Sequence, residues 1–178
     1  MDLLTAPPHI PPRVVRTTLV YPLSRGRHPM KSFFDEAAQD ELLTRLESLR
    51  ADIVPQWGRM NAAQMLAHCG APYRAATGDI VLKPMPLLMR LIGRMVRKSV
   101  LGEKPYKKNA PTAPEFRFTS ALDFATEKQR YIECFKKLAA GPQMVKSLNH
   151  PFFGPMTREE WGRHMYKHTD YHFGQFGI

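Results

Sequence analysis

Four stretches of this chain, each about twenty residues long, read as helices, which confines the fold to packed helices. Residues 32–52 place Phe34, Ala38, Leu42, Leu46 and Leu49 on one face. The second stretch opens at "MNAAQMLAH", where Asn61 followed by Gln64 forms a capping-box signature. The third spans residues 120–140 and stops at Gly141 and Pro142. In the fourth, Thr157 with Glu160 makes a second capping box, and the helix runs towards Gln175. The expected class is all-α.

His68 lies in "QMLAHCGAP", with Pro72 four residues on. A proline cannot donate to the carbonyl one turn back, and its ring crowds that carbonyl. The second helix is therefore expected to kink or stop just after His68. Residues 109–119 hold Pro111 and Pro114, and "EFRF" reads as a short extended piece.

Charge is unevenly placed. Of a net +10, residues 1–30 supply +3 and residues 83–108 supply +7, so the remaining segments balance. Residues 1–30 hold four arginines and six of the sixteen prolines, against one acid. Those prolines oppose the amphipathic helix of an organellar transit peptide, and no apolar run is long enough for a signal-peptide core. The expectation is a Pro/Arg-rich, disordered tail before a domain at 31–178, with Met30 an alternative start. Two isolated cysteines, Cys69 and Cys134, do not make a disulfide framework or a cysteine zinc site. That usage fits a reducing, cytoplasmic setting.

The basic segment contains an amphipathic helix. Leu88, Leu91, Ile92 and Met95 share one face; Arg90, Arg94, Arg97 and Lys98 share another. Charge interrupts it too often for a membrane span. It can lie on anionic lipid or pack as a cap over a core, and the cap is the favoured reading. Interleaved aromatics are missing apart from Tyr106, and no nucleic-acid recognition motif is present, so no nucleic-acid partner is expected.

Seven histidines are present. His9 and His28 fall in the tail, and His150 precedes a proline and reads as part of a turn. His168 and His172 stand four apart in "KHTDYHFGQFG", so their imidazoles point the same way one turn apart. Such a pair is either a metal-binding half-site or a polar helix face. Gln64 one turn before His68, and Gln175 just beyond His172, extend both histidine faces with hydrogen-bonding groups. Spacing alone does not bring His68 to the pair.

"WGRMNAAQMLAHC" followed by "HPFFGPMTREEWGRHMYKHTDYHFGQFG" resembles the DinB/YfiT-like superfamily of metalloenzymes over roughly residues 31–178. The resemblance implies a four-helix bundle with a long crossover, here carrying the inserted basic helix. It implies a divalent metal on His68, His168 and His172. Tyr171 stands where a further histidine commonly precedes the last ligand; it points about 100° away from position 172, so the site is expected to survive. His164, one turn before His168, is the reserve candidate, with a rim role favoured. Cys69 is not read as a nucleophile.

Three neutral imidazoles with open positions suit a catalytic zinc, while nickel, iron or manganese are compatible. By analogy the expected activity is that of a metal-dependent thiol transferase or hydrolase acting on small electrophiles with a low-molecular-weight thiol. Arg90 or Arg94 would hold the thiol's carboxylates. Tyr166, Tyr171 and Gln64 are candidate neighbours of the reaction. The alternatives are a non-catalytic metal- or small-ligand-binding bundle, and a peripheral membrane protein using residues 83–108. A homodimer is compatible with such a bundle.

Overall fold

Asn61 and Thr157 start their helices as their capping boxes require. Asn61 Oδ1 accepts from the Gln64 amide while Gln64 Oε1 accepts from the Asn61 amide. Thr157 and Glu160 exchange the same pair of bonds. Each box satisfies two amides that the first helical turn leaves without intrahelical partners. The structure, a computed structural model, describes residues 30–83, 85–110, 112 and 114–178. The tail expected at 1–30 lies outside the described residues, apart from Met30.

Among the described residues five helices follow in order: α1 (Glu36–Glu47), α2 (Ala62–Ala76), α3 (Leu87–Val100), α4 (Phe124–Ala139) and α5 (Arg158–Gln175). Two residue pairs, Asn149–His150 and Gly154–Pro155, form an antiparallel ladder before α5. The described residues are thus mostly helical, as the all-α class expects, with this small ladder besides. α2 packs on α4 and α5, and α1 packs on α5. Leu42 and Leu46 of α1, Met65 and Tyr73 of α2, Phe135 of α4 and Phe173 of α5 are among the residues of a single core. Arg45 locks α1 to the end of α5, donating to the Asp170 carboxylate at 2.7 Å and to the Ile178 carbonyl at 2.9 Å.

α1 is shorter than the periodicity at 32–52 predicts. The Phe33 amide donates to the Gly162 carbonyl, so the chain enters from α5 in a turn, and Asp35 becomes the cap. The apolar pattern nonetheless reads correctly, because Phe33 and Leu49 are buried just outside the helix. α4 likewise begins later, with Asp123 accepting from the Thr126 amide. The "EFRF" segment does not open as an extended piece: residues Pro114–Phe116 make a 3₁₀ turn.

The expected stop after His68 is corrected. α2 continues through Pro72 to Ala76. An internal proline costs about 3 kcal/mol. Beyond it, Tyr73 and Ala76 are fully enclosed in the core, and one large buried side chain alone returns about 1.5–3 kcal/mol. Gly70 also lets α4 come close: a Cβ there would sit 3.2 Å from Cys134 Sγ. Packing outweighs the lost hydrogen bond.

The cap reading of the basic helix is corrected in its orientation. α3 does sit on the domain, but through Gly93 and the Arg97 side, with Arg97 paired to Glu160 of α5. A Cβ on Gly93 would come 2.0 Å from the Phe152 carbonyl oxygen, so only glycine admits this approach. Leu88, Leu91, Ile92 and Met95 point outwards and are exposed. Among the described residues no helix is long and apolar enough to cross a membrane.

Candidate metal centre

Two helices distant in sequence bring three imidazoles together. α2 supplies His68; α5 supplies His168 and His172, one turn apart on its inner face. His68 Nε2 lies 3.1 Å from His168 Nε2 and 3.1 Å from His172 Nε2. One ring nitrogen from each of the three lies within 4.8 Å of the others, close enough to hold a metal ion. A shared ion at about 2.0–2.1 Å from each imidazole would separate the nitrogens by about 3.0–3.4 Å.

The ring nitrogens facing away from this point decide the protonation. His68 Nδ1 is 2.9 Å from the Phe116 carbonyl, which only accepts, so Nδ1 carries the proton. His172 Nδ1 is 2.8 Å from Gln175 Oε1. The Gln175 amide is itself oriented, since its Nε2 donates to the Trp57 carbonyl at 2.6 Å. His172 Nδ1 is therefore also the protonated nitrogen. Burial holds both rings neutral: it lowers the His68 pKa, and it brings His172 down to about 3, with His68 adding to the effect. Their Nε2 atoms then present lone pairs to each other across 3.1 Å, with no hydrogen between them. Lone pairs at that distance repel, and a cation between them resolves the conflict.

His168 differs. Its Nδ1 is shut off from solvent and finds no partner among the described residues. Burial and the surrounding histidines push its pKa well down. It could answer His68 by donating from Nε2, but nothing can answer the His68–His172 pair. As a whole residue His168 is half-buried, whereas His68 and His172 are buried, but its imidazole is enclosed like theirs.

The other candidates fall into different roles. His164 is buried, its Nδ1 3.1 Å from Tyr106 Oη, with its ring centroid 6.0 Å from that of His168. It is a neighbour of the cluster and does not join the three convergent nitrogens. His150 ends the first strand pair, accepting from the Phe152 and Phe153 amides in the turn expected for it. Cys69 is fully buried against Met65, and burial raises its thiol pKa well above the ordinary range. Gln64 is engaged in its cap and with the Ser120 carbonyl. Tyr166 turns away to Glu41 of α1. Tyr171 stays close, its ring meeting that of His172 edge-on at 5.0 Å. Its hydroxyl accepts from Trp57 Nε1 and donates to the Lys107 carbonyl.

Three supports were not legible from spacing: the Phe116 carbonyl, the Trp57 carbonyl and Tyr106. The first two are backbone groups with no residue-type signal. Phe116 also lines a small pocket with Lys83, Glu115 and His150.

No curated protein and no solved structure shows significant similarity to the chain. The pattern of one family, described as "Protein of unknown function (DUF1569)", matches residues 31–177 and so takes in α1 to α5 and all three convergent histidines. The chain belongs to the DUF1569 family.

Proposed function

We propose that the chain binds one divalent metal ion on His68, His168 and His172, as a DinB/YfiT-like four-helix bundle, and that it is a thiol-dependent transferase acting on small electrophiles. The observation that carries the metal is the facing of the His68 and His172 lone pairs, each turned inwards by an oriented acceptor behind its ring. Such outer partners fix the tautomer and raise the basicity of ligating histidines. The donor set, three neutral imidazoles with no carboxylate or thiolate, suits zinc, nickel, iron or manganese, with zinc favoured.

An ion held by three protein ligands with an open side supplies Lewis acidity and keeps a bound thiol deprotonated near neutral pH. The chain's own residues do the remainder. Phe116 and Gln175 hold two rings in register, and Tyr171 closes the flank of His172. Arg90 and Arg94 stay proposals for binding a thiol's carboxylates; Arg94 lies beside Gly154 of the hairpin.

The test is elemental analysis of protein purified without a histidine tag, beside His168→Ala and His164→Ala. One equivalent of metal in the wild type and in His164→Ala, absent from His168→Ala, is the expected result. Full occupancy of His168→Ala would sink the assignment. Loaded protein that binds small thiols without turning over any electrophile would leave the second reading, a non-catalytic ligand-binding bundle.

A further inference from the structure

We infer that the outward face of α3 is a docking surface for an anionic lipid membrane. The orientation of α3 is fixed from three sides. Gly93 abuts the Phe152 carbonyl, Arg97 pairs with Glu160, and Lys167 of α5 donates to the carbonyls of Val100 and Gly102 at 2.6 Å each. The helix therefore cannot roll its apolar stripe inwards without losing all three anchors. What it presents to solvent is Leu88 at 69% exposure, Leu91 at 48%, Ile92 at 41% and Met95 at 83%. Leu87 extends the stripe at 71%.

An isolated exposed leucine is unremarkable, but five large apolar side chains along one helix face are not. The flank is basic. Arg94 and Lys98 are exposed beside the stripe, Lys83 precedes it, and Lys104, Lys107 and Lys108 follow. Residues 83–108 carry eight cations against Glu103.

Shape and charge select the occupant. The stripe is the convex ridge of one helix, without the groove that a peptide or partner helix would enter. A second copy would bring the same cations against these, which like-charge repulsion disfavours. A fluid sheet of anionic headgroups accepts a convex apolar ridge a few ångströms into its acyl boundary, and neutralises a cationic flank. No described helix can span a bilayer, so the attachment lies in the interface plane.

The full 178-residue chain is sedimented with vesicles of phosphatidylglycerol and phosphatidylcholine, and with phosphatidylcholine alone. Binding to the anionic vesicles only is expected, about tenfold or more weaker between about 0.1 M and 0.5 M salt. The double variant Leu91→Ser with Met95→Ser should lose binding while keeping its helix content and its metal loading. Arg94→Gln with Lys98→Gln should weaken it about 25-fold, at about fivefold per cation.

Met95→Cys supplies an independent readout, because Cys69 and Cys134 are both buried. A water-soluble maleimide should label it quickly in solution and slowly on anionic vesicles. No vesicle binding, or binding unchanged by the serine variant, overturns the inference. So does slow labelling without vesicles: independent of protein concentration, it means another part of this chain covers the ridge. If it grows with concentration, a second copy does.

Discussion

Five histidines are enclosed in this domain, in two groups whose burial is alike and whose hydrogen bonding is opposite. His150 and His164 are held neutral by burial, at about 2 and about 4, much as His172 is held at about 3. A depressed pKa therefore does not tell a ligand from a structural histidine. The direction of the ring nitrogens does. His150 Nδ1 accepts from two backbone amides while its ring stacks on Phe153 at 4.5 Å, and His164 Nδ1 meets a hydroxyl that can serve as donor or acceptor. In the other group, acceptors behind His68 and His172 force two lone pairs together. In one group a protein hydrogen bond meets Nδ1; in the other, two Nε2 lone pairs face each other where a cation could sit.

The sharpest way to break this contrast is to remove one histidine from each group. His172→Ala should weaken metal binding roughly a thousandfold or more, on the order of one ligand's share of a tight site. His164→Ala should leave affinity within about threefold, judged against the tenfold scale of a supporting contact. Competition titration against a chromophoric chelator would read both; equal losses would erase the distinction.

Acid acts on both groups and is the next largest effect. The folded state keeps His150 and His164 neutral well below their unfolded pKa of about 6.5, so between about 4 and 6.5 the unfolded chain binds more protons. Stability is thus fully present above pH 6.5 and falls as pH drops, by about 1.4 kcal/mol per pH unit for each such histidine. Urea unfolding of chelator-treated protein at pH 7.5 and 5.5 should show it. Flat stability over that range would mean that these rings protonate in place.

A smaller effect separates the supports. Gln175→Leu removes the acceptor behind His172 and should cost about 10–100-fold in metal affinity with the three imidazoles intact. Tyr106→Phe, beside His164, should change affinity by less than about threefold on the same scale. Outside the site lies the seat of the basic helix: Gly93→Ala places a methyl against the Phe152 carbonyl and should destabilise by about 1–3 kcal/mol, leaving metal affinity unchanged. Thermal melts of metal-free protein would measure it.

What could be read from sequence follows which groups carry side-chain signals. The capping residues Asn61 and Thr157 announced two helix starts, and the four-residue spacing of His168 and His172 put both on one face. Periodicity found the buried residues better than the helix ends, since Phe33 and Leu49 lie in the core outside α1. Pro72 misled because its local cost is visible in the sequence, while the burial of Tyr73 that offsets it depends on α4 and α5. The amphipathic pattern of α3 showed two faces without saying which meets the domain. The informative residue there was Gly93, the one position among the basic residues small enough to touch backbone. The carbonyls of Phe116 and Trp57 were beyond reach, because any residue type can supply them.

The convergent nitrogens come from residues 100 and 104 positions apart in the chain. An ion joining them would close a loop over most of the domain, and it could do so only once α2 and α5 have met. Closing a loop of that length removes on the order of 4–5 kcal/mol of chain entropy in the polymer description of cross-links. The same separation makes the site a late product of folding, since neither end of it is a local contact. Occupancy should therefore slow global unfolding more than any single core side chain does, and its removal should be felt as far away as the junction of α1 with the end of α5.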